Sequence, residues 1–274
     1  MEKWNLIVDV ARCENCHNCT LSVKDEYVDN RFPGYAAPQP RHGHAWINIE
    51  RRVRGEGAMV DAAYLPTMCN HCDDAPCIAA GGGCVAKRPD GIVLIDPDRA
   101  KGRRDLVDAC PYGAIWWNEE EQLPQAWFFD AHLLDQGWTE PRCSHACPTG
   151  AMEALKISDA AMAGIAQERG LDVLKPELGT RPRVWYANLD RFTTAFLGGE
   201  LVRSAQDRLE CAPNVTVRLS KDGQPVATAT SDAFGNFKFD GLPRNSGSYR
   251  IEAGNAAIDV EIGDSRYVEA IRID

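Results

Sequence analysis

The sequence predicts an α+β fold in two parts: a loop-rich N-terminal domain built around cysteine runs, then a small C-terminal β module. Three observations predict it. Ten of the 11 cysteines in this 274-residue chain lie between Cys13 and Cys147. Those cysteines fall in runs separated by short strand-like and helix-like segments. Beyond about residue 200 the chain becomes a series of alternating apolar segments and turns, with Cys211 as its one thiol.

Composition narrows the field. The length allows two domains. Hydrophobic content of 44% and charged content of 26% are ordinary for a globular protein. A net charge of −10 argues against nucleic acid or an anionic membrane as partner, since both attract Lys/Arg patches. No stretch approaches the roughly 18 apolar residues of a spanning helix. Met1-Glu2-Lys3-Trp4-Asn5 lacks the basic and apolar segments of a signal peptide. A cytoplasmic location is therefore expected, unless a signal-bearing partner carries the chain out. Disulfides are disfavoured in the cytoplasm, so the thiols are expected to hold metal.

Residues 5–10, Asn-Leu-Ile-Val-Asp-Val, read as a buried strand feeding the first run. That run, Cys13-Glu14-Asn15-Cys16-His17-Asn18-Cys19, has C-x2-C-x2-C spacing. Three thiols so spaced sit on one tight turn and suit a four-iron cluster, as in the ferredoxin run C-x2-C-x2-C-x3-C-P. The fourth position holds Val23. In ferredoxins with two clusters the fourth thiol serves the other cluster, so the gap removes a ligand from a second site. Thr20 to Tyr27 is expected to be the following helix. Residues 31–43 are rich in Pro and Gly and read as a loop. His42 and His44 read as surface or packing residues, because no third ligand accompanies them. Trp46 to Glu50 alternates as a strand.

The second run is Cys69-Asn70-His71-Cys72-Asp73-Asp74-Ala75-Pro76-Cys77. Its fourth thiol should lie near Gly81, but Cys84 comes three residues late. Asp90-Gly91 and Ile92 to Ile95 read as a turn and a strand. Cys110-Pro111 then looks like the end of a third run. The three preceding ligand positions hold Ala100, Arg103 and Leu106. A fourth run ends at Cys143 and Cys147-Pro148, and its opening pair of positions holds Trp127 and Asp130.

Exchange of the fourth thiol between paired runs assigns the cysteines. Cys13, Cys16, Cys19 and Cys147 form one complete set, and Cys69, Cys72, Cys77 and Cys110 form another. Each suits a [4Fe–4S] cluster. The site at 23, 127, 130 and 143 keeps only Cys143, and the site at 100, 103 and 106 keeps at most Cys84. Zinc is the rival occupant, but its knuckles use pairs of thiols rather than a three-thiol run with a distant Cys-Pro. Cys84, Cys143 and Cys211 are expected to be ordinary buried thiols. Trp116, Trp117 and Trp127 read as packing around the clusters. A buried Asp130 would need a partner, for which Arg142 and Arg12 are candidates; exposure of Asp130 is the alternative.

Past residue 155 the character changes. Ser158 is expected to cap a helix over Ala160–Arg169, closed by Gly170. Residues 175–190 are punctuated by prolines and read as a tail wrapping back over the cluster domain. From 215 the alternations Val215/Val217/Leu219, 226–230, Phe237/Phe239, Tyr249/Ile251 and Ile258/Val260/Ile262 are separated by turn signals such as Lys221-Asp222-Gly223. This pattern predicts a small antiparallel β-sandwich or barrel. The expected divisions are a ferredoxin-like domain at 1–155, a connecting segment at 156–199 and a β domain at 200–274.

The four-run layout resembles the iron–sulfur subunits of the dimethyl-sulfoxide-reductase superfamily of molybdopterin enzymes. Further stretches carry a closer resemblance: Ile49-Glu50-Arg51-Arg52, Asp90 to Pro97, Cys110-Pro-Tyr-Gly113, Trp117 to Glu120, Ala131 to Leu134, Lys175 to Thr180 and Phe234 to Phe239. These look like the family of small subunits of pyrogallol–phloroglucinol transhydroxylase and related anaerobic phenol hydroxylases, nearly end to end. The resemblance implies a double-ferredoxin region with three [4Fe–4S] clusters and a C-terminal β domain. It also implies a large partner subunit, in a heterodimer or higher assembly, with molybdenum on two pterin guanine dinucleotides. Val23, Trp127 and Asp130 depart from that pattern where three ligands of the third cluster would stand, so two clusters are expected here. The implied function is electron transfer for a molybdopterin-dependent hydroxylase or transhydroxylase acting on phenolic aromatics. Substrate chemistry would lie on the partner and no catalytic residue here. The alternatives are a structural subunit whose clusters stabilise the interface, or a free ferredoxin-like carrier.

Overall fold

The computed structural model describes residues 1–205 and 208–274. Two compact units emerge. The first is Met1–Glu50 with Tyr64–Leu189, and the second is Arg51–Ala63 with Asp190–Asp274. The division thus falls at 189/190 rather than 199/200, and a short stretch near residue 57 joins the C-terminal unit.

The first unit begins with β1 (Glu2–Asp9), α1 (Asn18–Tyr27) and the hairpin β2 (Ile47–Glu56) and β3 (Met59–Met68), whose tip belongs to the second unit. It continues through α2 (Pro76–Ala80), β4 (Val85–Lys87), β5 (Val93–Ile95), α3 (Asp105–Asp108), β6 (Trp116–Asn118) and β7 (Leu123–Gln125). It ends with α4 (Ala131–Asp135), α5 (Arg142–His145), β8 (Met152–Ser158), α6 (Asp159–Arg169) and β9 (Val184–Ala187).

β1 is the middle strand of a three-stranded sheet ordered β8-β1-β9. Trp4 to Val8 are all buried, so this strand reads as a nearly continuous apolar run instead of an alternation. Met162, Leu171 and Ala187 close over Ile7. The β1–β8 register, with Val8 opposite Met152, and the bond from the Asp9 N–H to the Ala151 carbonyl (2.7 Å) matter most for the site. β1 leads directly into Cys13 and β8 follows directly from Cys147. Pairing these strands therefore brings the first cysteine run against the last. α6 has the expected ends: Ser158 Oγ accepts from the Ala161 N–H at 3.2 Å, and Gly170 closes it at φ 59. Ahead of β9, residues 180–183 bond to the second run through Thr180 and Arg181 carbonyls accepting from Asp74 and Asp73, and through the Arg183 N–H donating to Asn70.

The second unit contains α7 (Asp190–Thr193), β10 (Ala195–Ala205), β11 (Arg208–Cys211), β12 (Thr216–Lys221), β13 (Gln224–Thr230), β14 (Asn236–Leu242), β15 (Gly247–Ala253), β16 (Ala256–Ile262) and β17 (Arg266–Ile273). β11, β10, β14 and β17 make one four-stranded sheet, and β13-β12-β15-β16 make the other. Inward residues of both share one core that includes Leu197, Phe237, Phe239, Val217, Tyr249 and Ile251. Neither sheet closes into a barrel. The expectation of a wholly antiparallel module fails at one place: β17 runs parallel to β10. β17 follows β16 of the other sheet, so it arrives by crossing between sheets, and a crossover can deliver a strand in either direction. Residues 51–63 join this unit because Arg54 is fully buried in it, 2.5 Å from Asp61, 3.1 Å from Asp240 and over the Phe196 ring.

Candidate iron–sulfur sites

Two groups of four cysteines converge in the first unit, and all 11 cysteines are free thiols. In the first cup Cys13, Cys16, Cys19 and Cys147 line one cavity with Ile49, Pro66 and Met152. Left-handed backbone at Asn15 (φ 57) and His17 (φ 62) curls the run so that its three thiols share a concavity. Cys16 is exposed and Cys19 buried. Burial pushes the Cys13 thiol up, with Cys147 and Cys16 adding to it, and pushes Cys19 up to about 11.

In the second cup the thiols of Cys69, Cys72, Cys77 and Cys110 sit close enough to perturb one another. Burial raises Cys69 first, and Cys110 and Cys77 raise it further. Burial pushes Cys77 to about 11, again with help from Cys110 and Cys72. Burial also raises Cys72, against the lowering influence of the Thr180 hydroxyl and Lys87. The two Cys-Pro ends share one geometry. Gly113 (φ 64) and Gly150 (φ 61) turn the chain back, and the N–H of Ala114 donates to Cys110 Sγ at 3.4 Å as the N–H of Ala151 does to Cys147 Sγ at 3.3 Å. Four mutually repelling thiols with N–H donors aimed at sulfur are poor company for each other as bare thiolates. Their chemistry fits a polynuclear iron–sulfur centre, whose positive charge relieves the repulsion.

Two residues at the second cup escaped the sequence reading. Lys87 donates to the carbonyls of His71 (2.8 Å), Cys72 (2.9 Å) and Gly91 (3.0 Å), and pairs with Asp73 at 2.9 Å. His71 is buried, and burial pulls its pKa down to about 3, so the ring is neutral. Its Nδ1 accepts from the Val93 N–H at 3.1 Å. Their only signal was a lone lysine in an otherwise apolar strand and a histidine inside a cysteine run.

The two ligand-poor sites are packed with protein. At the first, Val23, Trp127, Asp130 and Cys143 are all buried, with Trp127, Asp130 and Cys143 at 0% exposure. Asp130 accepts from the Tyr27 hydroxyl, from Trp127 Nε1 (3.2 Å) and from the Arg142 backbone N–H (2.7 Å). The expected guanidinium partners are thus corrected. Arg142 serves through its main chain while its side chain turns to Glu26 and Asp25. Arg12 lies against Gly150 instead. Burial raises the carboxyl's pKa, and the three donors oppose that rise. This packing touches both cups. The Cys143 thiol, pushed up by burial, feels Asp130 and Cys19, and the His71 ring meets Trp127 and Phe129 at 5.6 and 5.5 Å.

At the other ligand-poor site, Ala100 and Leu106 are fully buried beside Cys84. Arg103 reaches the carbonyls of Ala80 (2.7 Å) and Gly81 (3.1 Å) and lies 3.8 Å from Cys84 Sγ. Cys84 and Cys143 are buried as expected, but Cys211 is exposed at the end of β11, where it faces away from the shared core. His42 is exposed, and His44 Nε2 contacts the Trp117 carbonyl at 2.8 Å.

One feature of the backbone unites all four runs. The third residue of each opening C-x2-C position set has positive φ: Asn15 (57), His71 (46), Gly102 (75) and Phe129 (59). The residues at 100, 103, 127 and 130 differ from cysteine, but the loop that would present them persists. A bulky phenylalanine is seldom found in this region of conformational space.

Comparison with known proteins agrees with this geometry. The 4Fe-4S dicluster domain family matches residues 60–157. The chain is 45% identical over 274 residues to the pyrogallol hydroxytransferase small subunit of Pelobacter acidigallici, covering 98% of each chain. It is 35% identical to a tetrathionate reductase subunit of Salmonella typhimurium, covering 72% of this chain and 77% of that one. A putative dimethyl sulfoxide reductase iron-sulfur subunit of Halobacterium salinarum is 29% identical, over 69% of this chain and 80% of its own. The chain therefore belongs to the family of iron–sulfur electron-transfer subunits that includes the pyrogallol hydroxytransferase small subunit.

Proposed function

We propose that the chain carries two [4Fe–4S] clusters, one on Cys13, Cys16, Cys19 and Cys147 and one on Cys69, Cys72, Cys77 and Cys110. It would pass electrons to or from a large molybdopterin-binding subunit in the cytoplasm. That partner would hold molybdenum on two pterin guanine dinucleotides and act on a phenolic aromatic. The observation that carries this reading is the convergence of four thiols at each cup from segments far apart in sequence, brought about at the first by the β1–β8 pairing. Among the described residues, no three His, Cys, Asp or Glu side chains stand close enough to hold a single metal ion. A three-thiol run completed by a distant Cys-Pro end suits a cube of iron and sulfide better than one tetrahedral zinc.

When bound, the clusters supply reversible one-electron storage. The chain's own part is to hold them, shield them and set their potentials through burial, N–H···S bonds and nearby charge. Ala114, Ala151 and Lys87 are placed for that work. No substrate-converting residue is assigned to this chain. The second unit is proposed to be a β-sandwich docking module for the partner, free of cofactor. The relative from Pelobacter acidigallici, by its name, belongs to a hydroxytransferase. A transfer of hydroxyl groups moves no net electrons outward, so a structural role for the clusters is the second reading. The protein packing between the cups, through Trp127 against His71 and through Cys143 toward Cys19, favours it. Rapid mixing of the assembled complex with substrate separates the two. Cluster reduction within a turnover supports electron transfer, and clusters that stay oxidised through many turnovers contradict it.

A further inference from the structure

The fixed charge that stands nearest each cup differs in sign between the two. Beside the first cup stands Asp130, fully buried, and all three of its partners are neutral donors: a phenol, an indole and a backbone amide. The indole and the backbone amide can only donate and the phenol can donate as well, so all three partners suit the ionised carboxylate. On the neighbouring surface Asp25 and Glu26 share the Arg142 guanidinium, and His132 leans on Glu26 at 2.8 Å. Arg12, against Gly150, is exposed and therefore screened by solvent and salt. Beside the second cup, Lys87, Arg183 and Lys3 share the carboxylates of Asp73 and Asp159. Within that network three cations face two carboxylates, while next to it Arg88 faces Asp90 and Asp135. Lys87 also touches the ligand loop itself through the carbonyls of His71 and Cys72.

Reducing a cluster adds negative charge, so a nearby fixed anion disfavours reduction and a nearby fixed cation favours it. Resting on the cluster assignment above, we propose that Asp130 and Lys87 are redox-tuning residues of opposite sign. Asp130, standing where a lost cluster would be, holds down the potential of the Cys13/Cys16/Cys19/Cys147 centre. Lys87 holds up that of the Cys69/Cys72/Cys77/Cys110 centre. Neither residue is a ligand; each acts through the field at its neighbouring cup. At an effective dielectric constant of about 20, unit charges about 12 Å apart shift a one-electron equilibrium by about tenfold.

The test is an electron-paramagnetic-resonance redox titration of the complete complex. Iron content is measured alongside, and Cys147→Ser identifies which signal belongs to the first cup. Wild-type protein that holds both clusters establishes the assignment independently of the tuning. Asp130→Asn should then raise the reduced-to-oxidised ratio of the first cluster about tenfold at fixed potential, which is about 59 mV for one electron. It should leave the second cluster in place. Asp130→Leu should give the same shift, because charge and not shape is responsible. Lys87→Gln should move the second cluster the other way, and Lys87→Arg should restore it. The Asp130 shift should survive high salt, since a fully buried charge is poorly screened. The proposal is overturned if neither variant moves its own cluster threefold, if both clusters move together, or if salt abolishes the Asp130 shift. Should the Asp130 variants lose iron, the Lys87→Gln result on the second cluster decides.

Discussion

The first cup and the packed site beside it are built on the same loop and end in opposite states. Asn15 and Phe129 occupy the same place in their respective turns, both with positive φ. One loop presents Cys13 and Cys16, and the other presents Trp127 and Asp130, fully buried. The lesson is that loop geometry does not make a cluster site. Side chains decide whether the concavity stays open for a cofactor or fills with protein. A void of cluster size cannot be left empty in an interior packed to crystal-like density. Here an indole is fully buried, and a carboxylate finds three donors for its oxygens. The third run solves the same problem differently, with Arg103 satisfying loop carbonyls and Ala100 and Leu106 packing beneath.

The strongest way to break this comparison is at a ligand. Cys147→Ser should cost the chain about half its iron, because that thiol completes the cup of Cys13, Cys16 and Cys19 from far along the sequence. Cys143→Ser, in the packed site, should leave iron unchanged. Iron analysis of both purified variants checks this, and the reverse result would exchange the roles of the two thiols.

Next in size is the packing itself. Asp130→Ala should destabilise the first unit by several kcal/mol, on the order of 1–3 kcal/mol for each buried donor left without a partner. Denaturant unfolding of the apoprotein measures it. Restoring cysteine at positions 23, 127 and 130 should fail to produce a third cluster without further repacking, because Phe129 and Tyr27 still crowd the space. A third cluster signal in that triple variant would show the cavity to be only lightly filled. The smallest expected effect is at the turns. Gly113→Ala places a side chain at φ 64 and should cost about 1 kcal/mol, read as a lowered melting temperature with iron retained.

Much of this was legible in the residues. Cysteine spacing carried the grouping of eight thiols, since a C-x2-C run and a Cys-Pro end leave few ways to complete a foursome. The capped helix after Ser158 was legible for the same reason: both of its ends are local chemistry. What escaped was held by main chain or by distant partners. One of the three partners of Asp130 is the amide of Arg142, and a backbone N–H has no signature in sequence. Charge arithmetic therefore pointed to guanidinium groups that turn elsewhere. Lys87 acts on carbonyls in the same way. The attachment of residues 51–63 to the second unit depends on Arg54 meeting Asp240, far along the chain. The parallel run of β17 depends on which sheet it joins, and alternation reports only that a strand has two faces.

Two sites should hold clusters and two should be closed by protein. Iron and acid-labile sulfide, measured on the anaerobically purified wild-type chain together with spin quantitation after full reduction, test it most directly. About eight irons and eight sulfides per chain are expected, with spins from two clusters. A value near twelve irons with a third cluster spin, or stoichiometric zinc in place of iron, would contradict it.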